Sequence, residues 1–415
     1  MHKNKYLLIL LAILAIAFAI SCAKTGRDFE VFVDAGGKII NGQNIYKPPF
    51  AQNLQYYYSP LFALLLSPLA GLPIVLSQAF WGILSCFLLY RIWILSTEYF
   101  DLPQLSSKQR VWWIAVSLVL TARFIRYDMT AVQMTIFLLW ATLQSLKWFW
   151  NDKPLAGAAL LAFAINIKLL PLPFVFYLLY RKKIKGAMLT CLCYVLYLYL
   201  PVLYLGWDSN NFLLAEWFTL INPLQKNWTI EAESGPSSLV AMIPVYLTDT
   251  VGVLPVKRNF INLSYNIVFI IVNAVRLIFV ILTLVFLRSK PFTSTHSKLS
   301  QYWEMSYLFI AIPLLFPHQQ RYAFIYAAPA LIYLAWYFVF NWQAIKQKMN
   351  LFTWTGLFIV GINFTPLIGR DIVTSYVYEL MLHFRVLTFA AIALIVALWL
   401  CRPEKTLNKV QSPTV

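Results

Sequence analysis

Three carboxylates, Asp28, Glu30 and Asp34, stand close together just after the first hydrophobic stretch of the chain. The segment that holds them, 23–60, also carries a glycine pair, an Asn44-Ile45-Tyr46 turn, and the run Tyr56-Tyr57-Tyr58 ahead of Pro60. A carboxylate at a water-facing mouth can accept the proton of an attacking hydroxyl, which makes Asp28 and Asp34 candidates for a general base. The bland alternative for Asp28 is the cap of a short helix beside the membrane, a place that Asp favours. Further along, Arg126, Lys168, Arg321 and Arg370 lie at the ends of apolar stretches. Charges at such depth are costly and tend to face a cavity, although long basic side chains also reach back to lipid headgroups. Lys168 precedes Leu169-Leu170-Pro171 in a weak apolar stretch, which favours a site over a surface role.

Other chemistries find little support. The four histidines (His2, His296, His318, His383) do not cluster, and no HExxH or closely paired Asp-x-Asp occurs, so no metal site is expected. A Walker loop, a Gly-rich dinucleotide loop and a GxSxG elbow are all missing. No cofactor is expected.

The elements that must position these residues are membrane helices. The chain has 415 residues, of which 60% are hydrophobic and only 12% charged. A soluble protein cannot bury so much apolar surface, and a helix needs about 20 apolar residues to cross the hydrocarbon core. The expected fold is therefore all-α and polytopic, one integral domain over 1–415. Its net charge of +17 resides in short clusters between apolar stretches, such as Arg181-Lys182-Lys183. That is the pattern of cytoplasmic loops under the positive-inside rule and not a nucleic-acid surface. Placing those clusters on one side gives about twelve crossings with both termini cytoplasmic, and a cavity on the extracytoplasmic face. In this arrangement 23–60 is the first extracytoplasmic loop, 206–262 a long extracytoplasmic region and 403–415 a cytoplasmic tail. Pro68 and Pro73 divide the stretch after Pro60 into a partial dip at 60–71 and a span at 74–95. The pair Gly36-Gly37 reads as a helix stop or turn.

Three groups of residues then carry a resemblance. The first is Asp28-Phe29-x-Val31-Phe32, followed by Gly42-x-Asn44-Ile45-Tyr46 and Tyr58-Ser59-Pro60 with Pro68. The second is Arg126 with Gln133, then Gly157 and Lys168-x-x-Pro171. The third is Pro317-His318 ahead of Ala328-Pro329-Ala330. In this order the chain resembles glycosyltransferase family 87, integral membrane enzymes of the GT-C fold that use polyprenyl-phosphate sugars. It departs from the family at Ser59, where Tyr-Pro-Pro is common, and at Val132-Gln133-Met134-Thr135, where Gly-Gln-x-Asn is common.

The resemblance implies inverting transfer of a sugar, mannose or another hexose, from a polyprenyl-phosphate donor to a lipid or glycan acceptor. The reaction would take place on the outer face of the cell (inner) membrane. It implies Asp28 as catalytic base; Lys168, Arg126, Arg321 and His318 on the donor phosphate; and Asp34, Asn44, Tyr46 and Gln133 as sugar or acceptor contacts. Its partners would be the lipid-linked donor, the acceptor and membrane lipid, with no nucleic acid. The competing reading is a secondary transporter or a flippase-like lipid-binding protein. A transporter predicts paired broken spans in two repeated halves, and no repeat is visible between the halves.

Overall fold

A computed structural model describes residues 2–25, 27–100, 105–222, 235–288, 290–294, 297–348, 350–369 and 372–403. Arg370, Asp371 and His296 lie outside them, as do 404–415 of the C-terminal tail and 223–234 of the 206–262 region. Every regular element among the described residues is helical. Four helices are long and apolar enough to cross a membrane: Ile74–Thr97, Ile184–Leu205, Tyr265–Leu287 and Arg321–Gln343. Two bent pairs raise the number to 6, and Ala12–Ala23, Pro60–Gly71 and Pro154–Ile167 are shorter apolar helices. Tyr265–Leu287 shows what such a helix faces: Ile270 is 66% exposed and Leu277 61%. Apolar surface of that extent is stable only against lipid tails, so the chain is an integral membrane protein.

The chain divides into two compact units. One is Met1–Leu95 with Arg126–Asn222; the other is Ser96–Ile125 with Pro223–Val415.

In the first unit, α1 (His2–Ala23) leads into α2 (Arg27–Ile40). The first inter-span segment, expected to be a loop, thus opens with a helix of 14 residues. Its apolar residues Phe29, Phe32, Val33, Gly36 and Ile39 recur at helical spacing and are buried, while Asp34 and Lys38 pair at i,i+4 across 2.8 Å. Gly36-Gly37 is not a stop, because the helix runs through it to Ile40. The reason is proximity: a Cβ at Gly36 would lie 2.9 Å from the Ser67 backbone nitrogen. The turn comes later, at Gly42, whose φ of +68° suits glycine.

Next come α3 (Pro60–Leu66), a 3₁₀ turn over Ser67–Gly71, and α4 (Ile74–Thr97). The helical stretch is interrupted at Pro68 and Pro73, where the sequence expects it to be divided. Ser59 starts α3 by accepting from Phe62 N, with Pro60 at the first helical position. A corner follows between the end of α5 (Ser107–Ala131), which belongs to this unit from Arg126 on, and α6 (Thr135–Trp150). Val132 takes a left-handed φ of 50° there, and Gln133 N donates to Asp128 O at 3.1 Å. The stretch after α6 folds as α7 (Pro154–Ile167), α8 (Pro173–Tyr180) and α9 (Ile184–Tyr199). The buried side of α7 includes Gly157, Ala158, Ala162 and Ala164, small residues that let helix backbones approach closely. Helix Trp207–Ile221 closes the unit: Trp217 Nε1 donates to Tyr57 O at 3.1 Å, and Lys47 pairs with Glu216 at 3.0 Å.

The second unit is built on helix Lys298–Leu315, which is buried from Gln301 to Leu314. Phe286 stacks on Trp303 and Tyr307 with 4.0 Å between ring centroids in each pair. Helix Leu239–Leu247, within the 206–262 region, buries Val240 against Val268 and Val272. Helices Ser375–His383 and Val386–Leu400 meet at a 65° bend. There Arg385 donates to Pro236 O at 2.6 Å.

Candidate active site

The chemistry-bearing residues of the first unit meet where the start of α2, the α5–α6 corner and the end of α7 come together. Asp28 is in the first turn of α2, where the helix dipole favours a carboxylate. Its neighbour Phe29 is fully buried, against Trp81 and Phe32, and so fixes the turn while Asp28 stays half-buried. Gln133 Nε2 donates to Asp28 Oδ2. The other end of the same amide, Oε1, accepts from the Tyr58 hydroxyl at 3.2 Å. With both ends engaged, the orientation of the Gln133 amide is set. Its backbone is held as well, since Trp81 Nε1 donates to Gln133 O at 3.0 Å.

Lys168 follows α7 directly, in extended conformation (φ −150°, ψ 134°). Its ammonium stands over the Tyr58 ring, 5.7 Å from the centroid, and its charge reaches Asp28. Tyr58 therefore touches both partners of the carboxylate. Beside it, Ser59 Oγ donates to Asn166 Oδ1 at 2.7 Å, tying the start of α3 to the end of α7. Burial pushes the Asp28 carboxyl above the usual range, and the Gln133 hydrogen bond and the Lys168 charge oppose that shift. The result is a carboxylate more basic than a free aspartate, facing a cation, next to a fixed amide. Such a group can take a proton from a hydroxyl while the cation stabilises an anion nearby.

The remaining predicted residues fall elsewhere. Asp34 pairs with Lys38, and six residues of helix place it about 120° around α2 from Asp28. Asn44 Oδ1 accepts from Tyr46 N at 2.9 Å, and the buried Tyr46 hydroxyl donates to Tyr58 O at 2.8 Å. Both side chains shape the segment that ends at Tyr58. Tyr56 and Tyr58 are buried too, at 5.6 Å between centroids, and form the segment's own core. Arg126 is exposed near the end of α5, with its charge acting on Cys22. His318 and Arg321 belong to the second unit. His318 has a left-handed φ of 56°, and Arg321 donates to the Tyr378 hydroxyl from above the Tyr378 ring. Among the described residues, no three His, Cys, Asp or Glu side chains gather as a metal site would require.

Two residues of the cluster were not singled out by sequence. Tyr58 was named in the aromatic run and in Tyr58-Ser59-Pro60, with no role at the site attached to it. Asp128 carried no sequence signal of its own; it is 1% exposed, and its carbonyl accepts from Gln133 N at the α5–α6 corner.

A model of glycosyltransferase family 87 matches residues 56–299, more than half of the 415. The chain belongs to glycosyltransferase family 87. It is a membrane glycosyltransferase, an enzyme that moves a sugar from a donor to an acceptor. No curated protein matches the chain. The family match holds Tyr58, Arg126, Gln133 and Lys168, while Asp28 precedes it and His318 and Arg321 follow it. The Gln133 hydrogen bond thus joins Asp28 to the matched part of the glycosyltransferase.

Proposed function

We propose that this glycosyltransferase transfers a hexose, mannose or a close relative, with inversion, from a polyprenyl phosphate to a lipid or glycan acceptor. The observation that carries the reading is the half-buried Asp28 carboxylate, oriented by Gln133 and faced by the charge of Lys168. The acceptor hydroxyl attacks the anomeric carbon from the face opposite the phosphate. Its oxygen bonds to that carbon as the bond to the phosphate oxygen breaks, and the polyprenyl phosphate leaves with the electron pair. The hydroxyl proton passes to Asp28 and is later lost to water. A positioned base contributes about 10²–10⁴-fold to such a step. Lys168 neutralises charge developing on the leaving phosphate, where an ordered cation acts most strongly. Arg126, Arg321 and His318 are further phosphate candidates by their chemistry, and Asp34 is the alternative base.

The same reading places the reaction on the outer face of the inner membrane. It gives about twelve crossings with both termini cytoplasmic, supported by the basic clusters that then share one side. The test uses membranes holding the wild-type chain or Asp28→Asn, radiolabelled polyprenyl-phosphate hexoses and mixed lipid acceptors. Transfer by wild type with an inverted linkage, lost in Asp28→Asn, is the expected result. Undiminished transfer by the variant sinks Asp28 as base, and a retained linkage sinks the inverting mechanism.

A further inference from the structure

A long cavity lies wholly within the second unit and contains none of the residues of the transfer site. It holds about 1120 Å³, above the ~300–1,000 Å³ of ordinary small-molecule pockets. One wall is α5, which presents Lys108, Trp112, Val116 and Leu120 one turn apart. The facing wall is helix Ala328–Lys348, and the two run antiparallel: Gln109 Nε2 donates to Val339 O at 3.5 Å, and Trp113 Nε1 to Ile332 O at 3.0 Å. Helix Leu351–Ile362 and the turn after it make the third wall. Near its start Trp354 meets Trp342 edge to face at 5.6 Å, and past its end Phe364 is 5.6 Å from Phe124 between ring centroids.

These contacts give the cavity two unlike ends. Lys108, Asn341 and Gln343 are at one, among Trp112, Trp342 and Trp354; Leu120, Leu331 and Phe364 are at the other. Lys108 is exposed, and so is Lys346, one turn beyond Trp342. Ser106 and Gln109 are engaged with each other, Ser106 N donating to Gln109 Oε1 at 2.9 Å and Gln109 N to Ser106 Oγ at 3.3 Å. This reciprocal cap sets the turn on which Lys108 stands. Among the described residues that line the cavity there is no Asp or Glu. A cationic end ringed by tryptophan matches the headgroup level of a membrane, and an apolar end matches its acyl chains.

The length agrees. At the helical rise, Lys108 to Leu120 covers about 18 Å. That is slightly more than half of a hydrocarbon core about 30 Å thick, so the cavity has the length of a single leaflet. A ligand matched to it has an anion at one end and a leaflet-long hydrocarbon chain at the other. The topology proposed above puts the basic start of α5 in the cytoplasm, so a donor lipid held here would carry its phosphate on the side away from transfer.

We propose that this cavity binds an anionic glycerophospholipid, its phosphate at Lys108 and Lys346 and an acyl chain along α5 to Leu120. The preference for phospholipid over donor rests on the proposed topology; the polarity of the cavity does not.

The experiment measures lipid retention by the full chain, purified in mild detergent, with bound lipids counted by native mass spectrometry. The probes are dioleoyl phosphatidylglycerol, dioleoyl phosphatidylcholine and undecaprenyl phosphate. Phosphatidylglycerol is expected to be retained at one site, in preference to phosphatidylcholine. Lys108→Gln should weaken it about fivefold, the effect of one cation near an anionic headgroup, and leave phosphatidylcholine unchanged. Gly361 lines the cavity, and a Cβ there meets nothing within 4 Å. Gly361→Phe thus fills the cavity without displacing backbone, and should lower phosphatidylglycerol affinity about tenfold or more. Gly356 on the same helix is equally open but lies outside the cavity, so Gly356→Phe should bind as wild type does. Equal retention of the two glycerophospholipids by wild type, or unchanged retention in Gly361→Phe, overturns the inference. Preferential retention of undecaprenyl phosphate that Gly361→Phe abolishes also overturns it, assigns the cavity to the donor chain and leaves glycosyl transfer standing. Should Gly361→Phe fail to accumulate, a phosphatidylglycerol preference that Lys108→Gln removes supports the inference, and one that it leaves intact overturns it.

Discussion

The side-chain amide of Gln133 donates to Asp28 across 105 positions of chain and accepts from the Tyr58 hydroxyl at its other end. A hydrogen bond to the charged form of an acid favours that form. This one draws the Asp28 carboxyl down from the high value that burial alone would impose. Removing it therefore raises the proton affinity of Asp28 further. In Gln133→Ala the acidic limb of the kcat/KM profile moves to higher pH, and the rate at low pH falls more than the rate at high pH. A limb that stays in place, or moves down, shows that the amide does not act on the base.

Asp28→Asn tests the base from the side of stability as well as rate. The folded Asp28 carboxyl lies above the ordinary aspartate range because burial disfavours its charge. For an acid raised on folding, the contribution to stability is largest while it is protonated and is lost as pH rises through the folded pKa. At neutral pH the ionised group is thus a cost to the fold, and the neutral amide removes it. The variant should abolish transfer yet melt no lower than wild type near pH 7, measured by thermal unfolding of the purified protein. An inactive variant that also melts lower would mean that Asp28 holds the fold together.

These two residues also mark how far the sequence alone reaches. Asp28, Gln133 and Lys168 were each legible, from residue type and from order along the chain, and the structure brings them into one unit. Helix α2 was legible in principle, since Phe29, Phe32, Val33, Gly36 and Ile39 follow its period. The glycine pair masked that period, because a glycine needed for close approach looks like one needed for a turn. Asp128 could not be read this way. It is buried at the corner between α5 and α6, and no local pattern separates it from acids on the surface. Asn44 and Tyr46 show the converse, as polar groups placed among sugar contacts that serve to hold a turn and a buried hydroxyl.

The close approach at Gly36 gives a third prediction. A methyl group there would lie 2.9 Å from Ser67 N and 3.0 Å from Leu66 C, both backbone atoms that cannot swing aside. Gly36→Ala must push α2 away from the end of α3, and overpacking of this kind costs about 1–3 kcal/mol. The shift would carry Asp28 with it, so transfer should fall together with the melting temperature. Gly37→Ala is the control, since its nearest atom is the Ala70 Cβ at 3.5 Å, an ordinary contact. Equal behaviour of the two variants would refute the packing account.

The side of the membrane on which this chemistry occurs can be read from two exposed positions in the first unit. Gln43 follows α2 in the segment that carries Asp28, and Asn151 follows α6 in the turn toward α7; both are exposed. The proposed topology puts Gln43 outside and Asn151 inside, so single cysteines at the two sites should label in opposite ways. Cys191 is itself exposed and needs replacing by serine first. In intact cells a membrane-impermeant thiol reagent should modify Gln43→Cys at once, and Asn151→Cys only after permeabilisation. Neither substitution touches Asp28, Gln133 or Lys168, so each variant should retain transfer, and the labelled protein is then the active one. Labelling of Asn151→Cys alone in intact cells would invert the arrangement. Asp28 would then face the cytoplasm, and a donor presented at the outer surface could not reach it.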